Sequence, residues 1–301
     1  MASNSPVSVP DGAWDTHIHV FEPEKHAYSE SRSYTPAPAP LSAYPRHATS
    51  CSNIVVVQAT VQGTGTAPLV DVLKDGVSHG LLRGLAVLDL EKLEDRELDE
   101  LHAVGVRGVR MHEVSWGFGD QPSDSAVARK IQYAAQRLNR LGWVLDLYMH
   151  PQAWAALAPT IQALPESTKV LADHWAGFRP GDEDSQEFQI FLGLLKSRRI
   201  YLKLSAFERQ YHGNPAGMAS MEKMTRAVLQ AGPDRLLFGS DWPNTALASS
   251  REGRTREERL RIIEEYRQVD HAMHIEYLRQ WIEDEEAWRK FWVETPASLF
   301  K

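Results

Sequence analysis

The chain has 301 residues, 43% of them apolar, with 33 Lys and Arg against 40 Asp and Glu, a formal net charge of −7. That length and apolar content exclude a small disulfide-stapled fold, and a dispersed acidic charge without a basic block argues against nucleic acid as the main partner. The lone Cys51 has no partner for a bridge within the chain and fits a cytoplasmic setting, while the polar start from Met1 to Gly12 and the lack of any run near ~20 apolar residues predict neither secretion nor membrane insertion.

Short β-rich apolar runs alternate with longer stretches of helical period, the pattern of strand-helix units around a parallel sheet. In chain order the strands are predicted over Trp14–Phe21, Asn53–Thr60, Leu82–Asp89, Val106–Glu113, Trp143–His150, Lys169–His174, Ile200–Phe207 and Leu236–Asp241. Their starts are spaced by about 32 residues, the length of a strand, a helix and two loops. This predicts an α/β chain folded as a (β/α)8 TIM barrel, one domain over 1–301.

Between the first two strands, Pro36, Pro38, Pro40 and Pro45 forbid a regular helix, so a loop across the barrel mouth is expected there. Helices are predicted over Glu91–Val104 and Ala126–Leu141, where apolar residues recur at helical spacing among charges. After strand eight, Ser249–Trp292 is longer than one barrel helix requires. Its Glu, Arg and aromatic residues predict an extra helical segment, a lid or a contact in a homodimer.

Reacting groups of such barrels sit at the C-terminal strand ends. Strand one ends in Asp15-Thr16-His17-Ile18-His19, and alternation turns His17 and His19 to the same, inward side, where paired imidazoles ligate a metal or bind an anion. Strand five ends in Tyr148-Met149-His150, strand six in Ala172-Asp173-His174, and strand eight in Gly239-Ser240-Asp241-Trp242-Pro243. A buried Asp241 needs partners, which imidazoles or a cation supply. Arg110 and Arg209 are candidate carboxylate forks. Gln58 and Lys203 are read as inward-facing, Lys203 with internal ion pairing as the competing reading. Trp116, Trp175, Trp242 and Phe207, just past strand ends, wall a flat cyclic substrate or pack under loops. Several motifs fail: Gly63-Thr64-Gly65 lacks a third glycine, since Pro68 stands there, His112-Glu113 lacks the second histidine of a zinc protease helix, and no Gly-x-Ser-x-Gly elbow occurs. His271 and His274 are read as solvated surface residues.

The strand-one Asp-Thr-His-Ile-His, the strand-six Asp173-His174 and Phe238-Gly239-Ser240-Asp241-Trp242-Pro243 together resemble the amidohydrolase superfamily, in its amidohydrolase-2 branch. Val57-Gln58-Ala59-Thr60, Gly108-Val109-Arg110 and Tyr201-Leu202-Lys203-Leu204-Ser205 are similar to the subgroup typified by 2-pyrone-4,6-dicarboxylate lactonase, and the likeness runs from about Trp14 to Phe300. The resemblance implies a distorted barrel that opens a small, cyclic, anionic ester, with Asp241 as general base toward water and His17, His19 and His174 polarising the carbonyl. It also implies either one divalent ion, zinc or manganese, on His17, His19, His150, His174 and Asp241, or a metal-free mechanism in which the histidines meet the substrate. Both are physically sound.

The loop after Thr60, Val61-Gln62-Gly63-Thr64-Gly65-Thr66, departs from the lactonase pattern. His150-Pro151 resembles instead the strand-five His-Pro of metal-dependent decarboxylases in the same branch, which makes non-oxidative decarboxylation of an aromatic or unsaturated acid the alternative reaction. A non-catalytic ligand-binding barrel is the remaining reading, disfavoured because buried ionisable groups without a purpose cost stability.

Overall fold

Eight parallel strands form one sheet in chain order: β1 (Trp14–Ile18), β2 (Asn53–Val57), β3 (Leu82–Ala86), β4 (Val106–His112), β5 (Val144–Tyr148), β6 (Lys169–Ala172), β7 (Ile200–Ser205) and β8 (Leu236–Gly239). The computed structural model describes residues 7–76, 80–113 and 123–301. The eight expected strands are all present, each ending one to three residues before the predicted boundary, because the residues at the C-terminal ends leave the ladder to form the site. Closure comes just past the last strand, where Ile18 bridges Trp242 in parallel and Asp241 N donates to His17 O at 2.9 Å. The result is a nearly closed (β/α)8 barrel.

Alternation along the strands sorts side chains into an interior column and an outer face. Val55, Val57, Leu85, Val144, Leu171 and Leu237 fill the interior together with Trp14, and Phe300 closes its floor 6.2 Å from the Trp14 ring. Gly108 is required where β4 meets β5, because a Cβ there would lie 2.4 Å from Val144 O.

The outer layer holds α1 (Ala67–Asp75), α2 (Asp95–Ala103), α3 (Asp124–Leu138), α4 (Pro151–Ala163), α5 (Gln186–Lys196) and α7 (Glu222–Ala231), with the short α6 (Phe207–Gln210) at the rim. Helix α3 starts two residues earlier than its apolar period indicates, since the Ser123 hydroxyl caps it by accepting from Ala126 N. Its buried stripe is Val127, Ile131, Ala134 and Leu138.

The proline-rich loop and the late segment meet over the barrel mouth. Thr35–Pro36 pairs in parallel with Ile263–Glu264, and the buried Arg251 bonds Glu264 at 2.7 Å while stacking its guanidinium 3.7 Å from the Tyr34 ring centre. The late segment continues into α8 (His271–Trp281) and the C-terminal helical turns. Trp281, Trp288 and Trp292, among the aromatic residues that suggested a contact between copies, are buried within this chain. No helix among the described residues is long and apolar enough to cross a membrane.

His271 and His274 correct the sequence expectation: both are buried, not solvated. They share a face of α8 with Ile275 and Leu278, and that apolar face was the signal available in the sequence. His274 lies 3.1 Å from Glu208 Oε1 and 3.2 Å from the Tyr211 hydroxyl.

Candidate active site

Three imidazoles converge on one carboxylate oxygen. Asp241 Oδ1 lies 3.6 Å from His19 Nε2, 3.8 Å from His17 Nε2 and 3.9 Å from His174 Nε2, and its Oδ2 accepts from Arg209 Nε at 3.3 Å. His17 and His19 come from the end of β1, His174 follows β6 and Asp241 follows β8, the four strand-end positions singled out in the sequence. Asp15, first residue of the strand-one motif, serves the assembly: its carboxylate accepts from Ser240 N at 2.9 Å and from the Tyr44 hydroxyl at 2.7 Å, tying β1, the turn after β8 and the proline-rich loop together.

The backbone at these ends is unusual. His174, Trp175 and Ala176 are consecutive left-handed residues, and Ala206 and Asp241 also have positive φ. Such conformations cost roughly 1–2 kcal/mol per non-glycine residue and persist only where the surroundings enforce them. Gly239 has a different task. A Cβ there would stand 2.7 Å from the His17 Cβ, so only glycine lets β8 approach β1 beneath the histidine.

Each imidazole is fixed from its far side. His19 Nδ1 lies 2.7 Å from Val57 O, His174 Nδ1 2.8 Å from the Ser205 hydroxyl, and His17 Nδ1 3.2 Å from Asp173 Oδ1. Burial drives the pKa of His174 down to about 4 and that of His17 well below the usual range, so both rings are neutral at neutral pH. For Asp241 burial acts upward, but the neighbouring His174 and the Arg209 guanidinium outweigh it and hold the carboxyl well below the usual carboxylate range. The Asp241 carboxylate is therefore ionised at neutral pH.

Beneath lies a fully buried charged layer, with Lys203 Nζ 2.9 Å from Asp146 and 2.8 Å from Asp173. Burial and the Asp173 charge push the Asp146 carboxyl up, whereas the Lys203 ammonium overcomes burial to keep Asp173 low. Lys203 has the predicted inward direction, and internal pairing is the reading its contacts favour.

The cleft above is lined by Tyr34, Arg110, His112, Tyr148, Thr245 and Arg251 as well as the convergent groups. Arg110 is buried, with Asp173 Oδ2 3.7 Å from its Nε and Gln58 O 3.5 Å from Nη1, contacts long enough to leave donor capacity facing the cleft. Arg209 also lines the cleft, but its Nη2 donates to Thr245 O at 2.7 Å and to the Thr245 hydroxyl at 2.8 Å, so it buttresses Asp241 and the following loop.

Three sequence assignments change. The inward parity of β2 falls on Val55 and Val57, so Gln58 faces away from the lumen. Its amide bonds Gly63 O, Gly65 O and Val87 N, holding the strand-two loop. Trp175 is buried and packs edge-on against Phe207 instead of walling the cleft. His150 is exposed at the N-cap of α4 and belongs to neither metal-competent group among the described residues, which removes the ligand suggested by His150-Pro151. Trp116 lies outside the described residues. Conversely, Tyr148 and His112 belong to the cleft, and strand parity was the signal: Tyr148 continues the inward series Val144, Asp146.

The donor set fits a divalent ion. His17, His19 and Asp241 each offer an atom within 4.8 Å of the others, as do His17, Asp173 and His174, and the buried His17 Nε2 has no hydrogen-bond partner. Imidazole and carboxylate are the donors zinc and manganese accept.

Comparison with known proteins agrees with this geometry. A family model described as amidohydrolase matches residues 14–299. A 2-pyrone-4,6-dicarboxylate hydrolase of Comamonas testosteroni is 34% identical over 254 residues, 79% of each chain. A 4-sulfomuconolactone hydrolase of Rhizobium radiobacter is 28% identical over 253 residues, 81% of this chain and 80% of the relative. Among solved structures, a putative 2-pyrone-4,6-dicarboxylic acid hydrolase from Pseudomonas putida superimposes with a TM-score of 0.74 at 24% identity, covering 96% of this chain and 97% of its own.

Proposed function

Because the chain belongs to the amidohydrolase family, we propose that it hydrolyses a small, cyclic, anionic ester, a lactone of the class the two relatives described above are named for. The observation that carries this reading is the convergence of His17, His19 and His174 on the ionised Asp241. One carboxylate ringed by three imidazoles provides a proton acceptor and a polar cradle for a carbonyl oxygen in the same small volume.

In the proposed step a water molecule beside Asp241 gives its proton to Oδ1 as its oxygen bonds to the lactone carbonyl carbon. Negative charge collects on the carbonyl oxygen, against the imidazole edges. Collapse re-forms the carbonyl and breaks the ring C–O bond, and the departing oxygen takes back the proton held on Asp241 Oδ1, which restores the base and leaves an open-chain acid that ionises to the carboxylate. Arg110 holds an anionic substituent of the substrate. A divalent ion on His17, His19 and Asp241 would act as a Lewis acid and lower the pKa of water. Tyr34, on the loop over the mouth, screens the cleft from bulk solvent. The buried, unpaired thiol of Cys51 supports a reducing, cytoplasmic setting.

The test is ring opening of 2-pyrone-4,6-dicarboxylate and 4-sulfomuconolactone, followed by loss of ultraviolet absorbance with product identified by mass spectrometry. Opening of either, abolished in Asp241→Asn, is expected. A folded protein that opens neither of these nor any of a panel of simple carboxylated lactones, with or without added zinc or manganese, would overturn the reading.

A further inference from the structure

The hydrolytic step leaves Lys203 without a task. Its ammonium is fully buried and has three neighbours: Asp173 Oδ1 at 2.8 Å, Asp146 Oδ1 at 2.9 Å and His17 Nδ1 at 3.2 Å. An ammonium has three N–H donors and no lone pair. Its approach to Nδ1 is therefore attractive only when that nitrogen is unprotonated.

Asp173 makes the opposite demand, since its Oδ1 also stands 3.2 Å from Nδ1 and would accept a proton carried there. The two contacts to Nδ1 are equal at 3.2 Å, and the count of donors and acceptors decides between them. Asp173 Oδ1 already accepts from Lys203 at the shorter 2.8 Å, and a hydrogen on Nδ1 would sit beside the N–H groups of the ammonium. With Nδ1 as acceptor, all three ammonium donors are matched by three acceptors. The ring proton then lies on Nε2, the atom that is buried without a partner and stands 3.8 Å from Asp241 Oδ1.

His19 contrasts with this arrangement. Its Nδ1 is 2.7 Å from Val57 O, which can only accept, so in the neutral ring the proton is on Nδ1 and Nε2 presents a lone pair to the cleft. The two histidines of the strand-one pair thus face Asp241 as opposite tautomers, one donor and one acceptor.

We propose that Lys203 is a positioning residue that keeps the neutral ring of His17 protonated on Nε2, making it the hydrogen-bond donor to the substrate carbonyl and weakening the site for a metal ion. The role of His17 rests on the hydrolytic reading, whereas the position of its proton does not depend on it. A metal needs the lone pair of each imidazole it binds. To ligate through Nε2, His17 must move its proton to Nδ1, against the ammonium. Lys203 thereby biases the cleft toward direct carbonyl binding by the histidine.

The experiment is long-range proton–nitrogen NMR of the histidine side chains in the chelator-treated, substrate-free protein, with His17 assigned by loss of its signals in His17→Gln. A pyridine-type Nδ1 and a pyrrole-type Nε2 are expected for His17, and the reverse for His19. In Lys203→Met/Asp146→Asn, which removes the ammonium together with its buried carboxyl partner, the His17 proton moves to Nδ1 and the zinc Kd measured by calorimetry falls at least ~10-fold. A His17 protonated on Nδ1, or on both nitrogens, in the wild type overturns the proposal, as does an unchanged zinc Kd in the folded double variant. If the double variant does not fold, the wild-type spectrum alone decides. No substrate enters these measurements, so a failed lactone assay and a failed tautomer assignment are read separately.

Discussion

The backbone N–H of Asp241 donates to the carbonyl of His17 at 2.9 Å, while the His17 Nε2 stands 3.8 Å from the Asp241 Oδ1. One pair of residues closes the barrel through its main chain and brings base and imidazole together through its side chains. Substitution of either side chain therefore leaves the closing hydrogen bond in place.

Asp241→Asn should accordingly keep the fold and lose the reaction. The amide cannot accept the proton of water, and removing a positioned base costs roughly 10²–10⁴ in rate. The expected outcome is kcat reduced by ~10³ with an unchanged circular dichroism spectrum. Near-normal kcat in this variant would remove Asp241 from the role of base.

Arg110→Met tests anion binding. The buried Arg110 guanidinium lines the cleft with donor capacity to offer, and a charge-assisted hydrogen bond contributes about 1.5–3 kcal/mol. KM for a carboxylated lactone should rise roughly 10- to 100-fold, with a smaller change in kcat. A KM within twofold of wild type would show that the anion is held elsewhere.

Acid should destabilise the protein before it protonates the base. His174 and His271 have pKa values lowered to about 4 and His274 to about 3, each first by burial, from the ordinary 6.5. The unfolded chain binds these protons below 6.5 and the folded chain does not, so stability falls as pH drops from 6.5 toward 4. Glu208 acts in the other direction: burial raises it to about 7, so its contribution grows as pH falls from 7 to 4.5. His17 and His112, lowered by burial as well, add to the loss, while the raised carboxyls Asp146 and Asp15 act with Glu208; the buried imidazoles outnumber these carboxyls, which gives a net loss. Denaturant midpoints measured across this window should decline steadily on the acid side, and a midpoint that rises would contradict the neutral assignment of these rings.

Gly239→Ala should damage the site through packing alone. The added methyl would meet the His17 Cβ at 2.7 Å and the Ser205 Cβ at 3.2 Å, so His17 or β8 must shift. Overpacking of this kind costs about 1–3 kcal/mol. We expect a lower Tm together with a fall in kcat larger than the loss of folded protein explains, measured on the fraction that remains folded at assay temperature.

The eight strands, the strand-end carboxylate and the three histidines were legible because period-two apolar runs with polar termini are local patterns. What failed was the last residue or two of each pattern. Gln58 lies one position past β2, where parity decides between lumen and outside, and His150 lies in the cap of α4, where parity no longer applies. His271 and His274 were misread because the charges of the late segment masked a buried face of α8. The partners of Lys203 come from β1, from β5 and from the position just after β6, and no local pattern announces such a meeting.

The cleft has its own place in the folding sequence. Tyr34 and Thr35 near the start of the chain meet Arg251 and Ile263 more than two hundred residues later, as His17 meets Asp241. Contacts of such long sequence separation carry a high loop-closure cost and form slowly. During synthesis the early histidines emerge long before the aspartate that they surround, so the nascent chain has every binding group of β1 to β7 and no base. Activity is thus postponed until the last strand has been delivered and the barrel has shut.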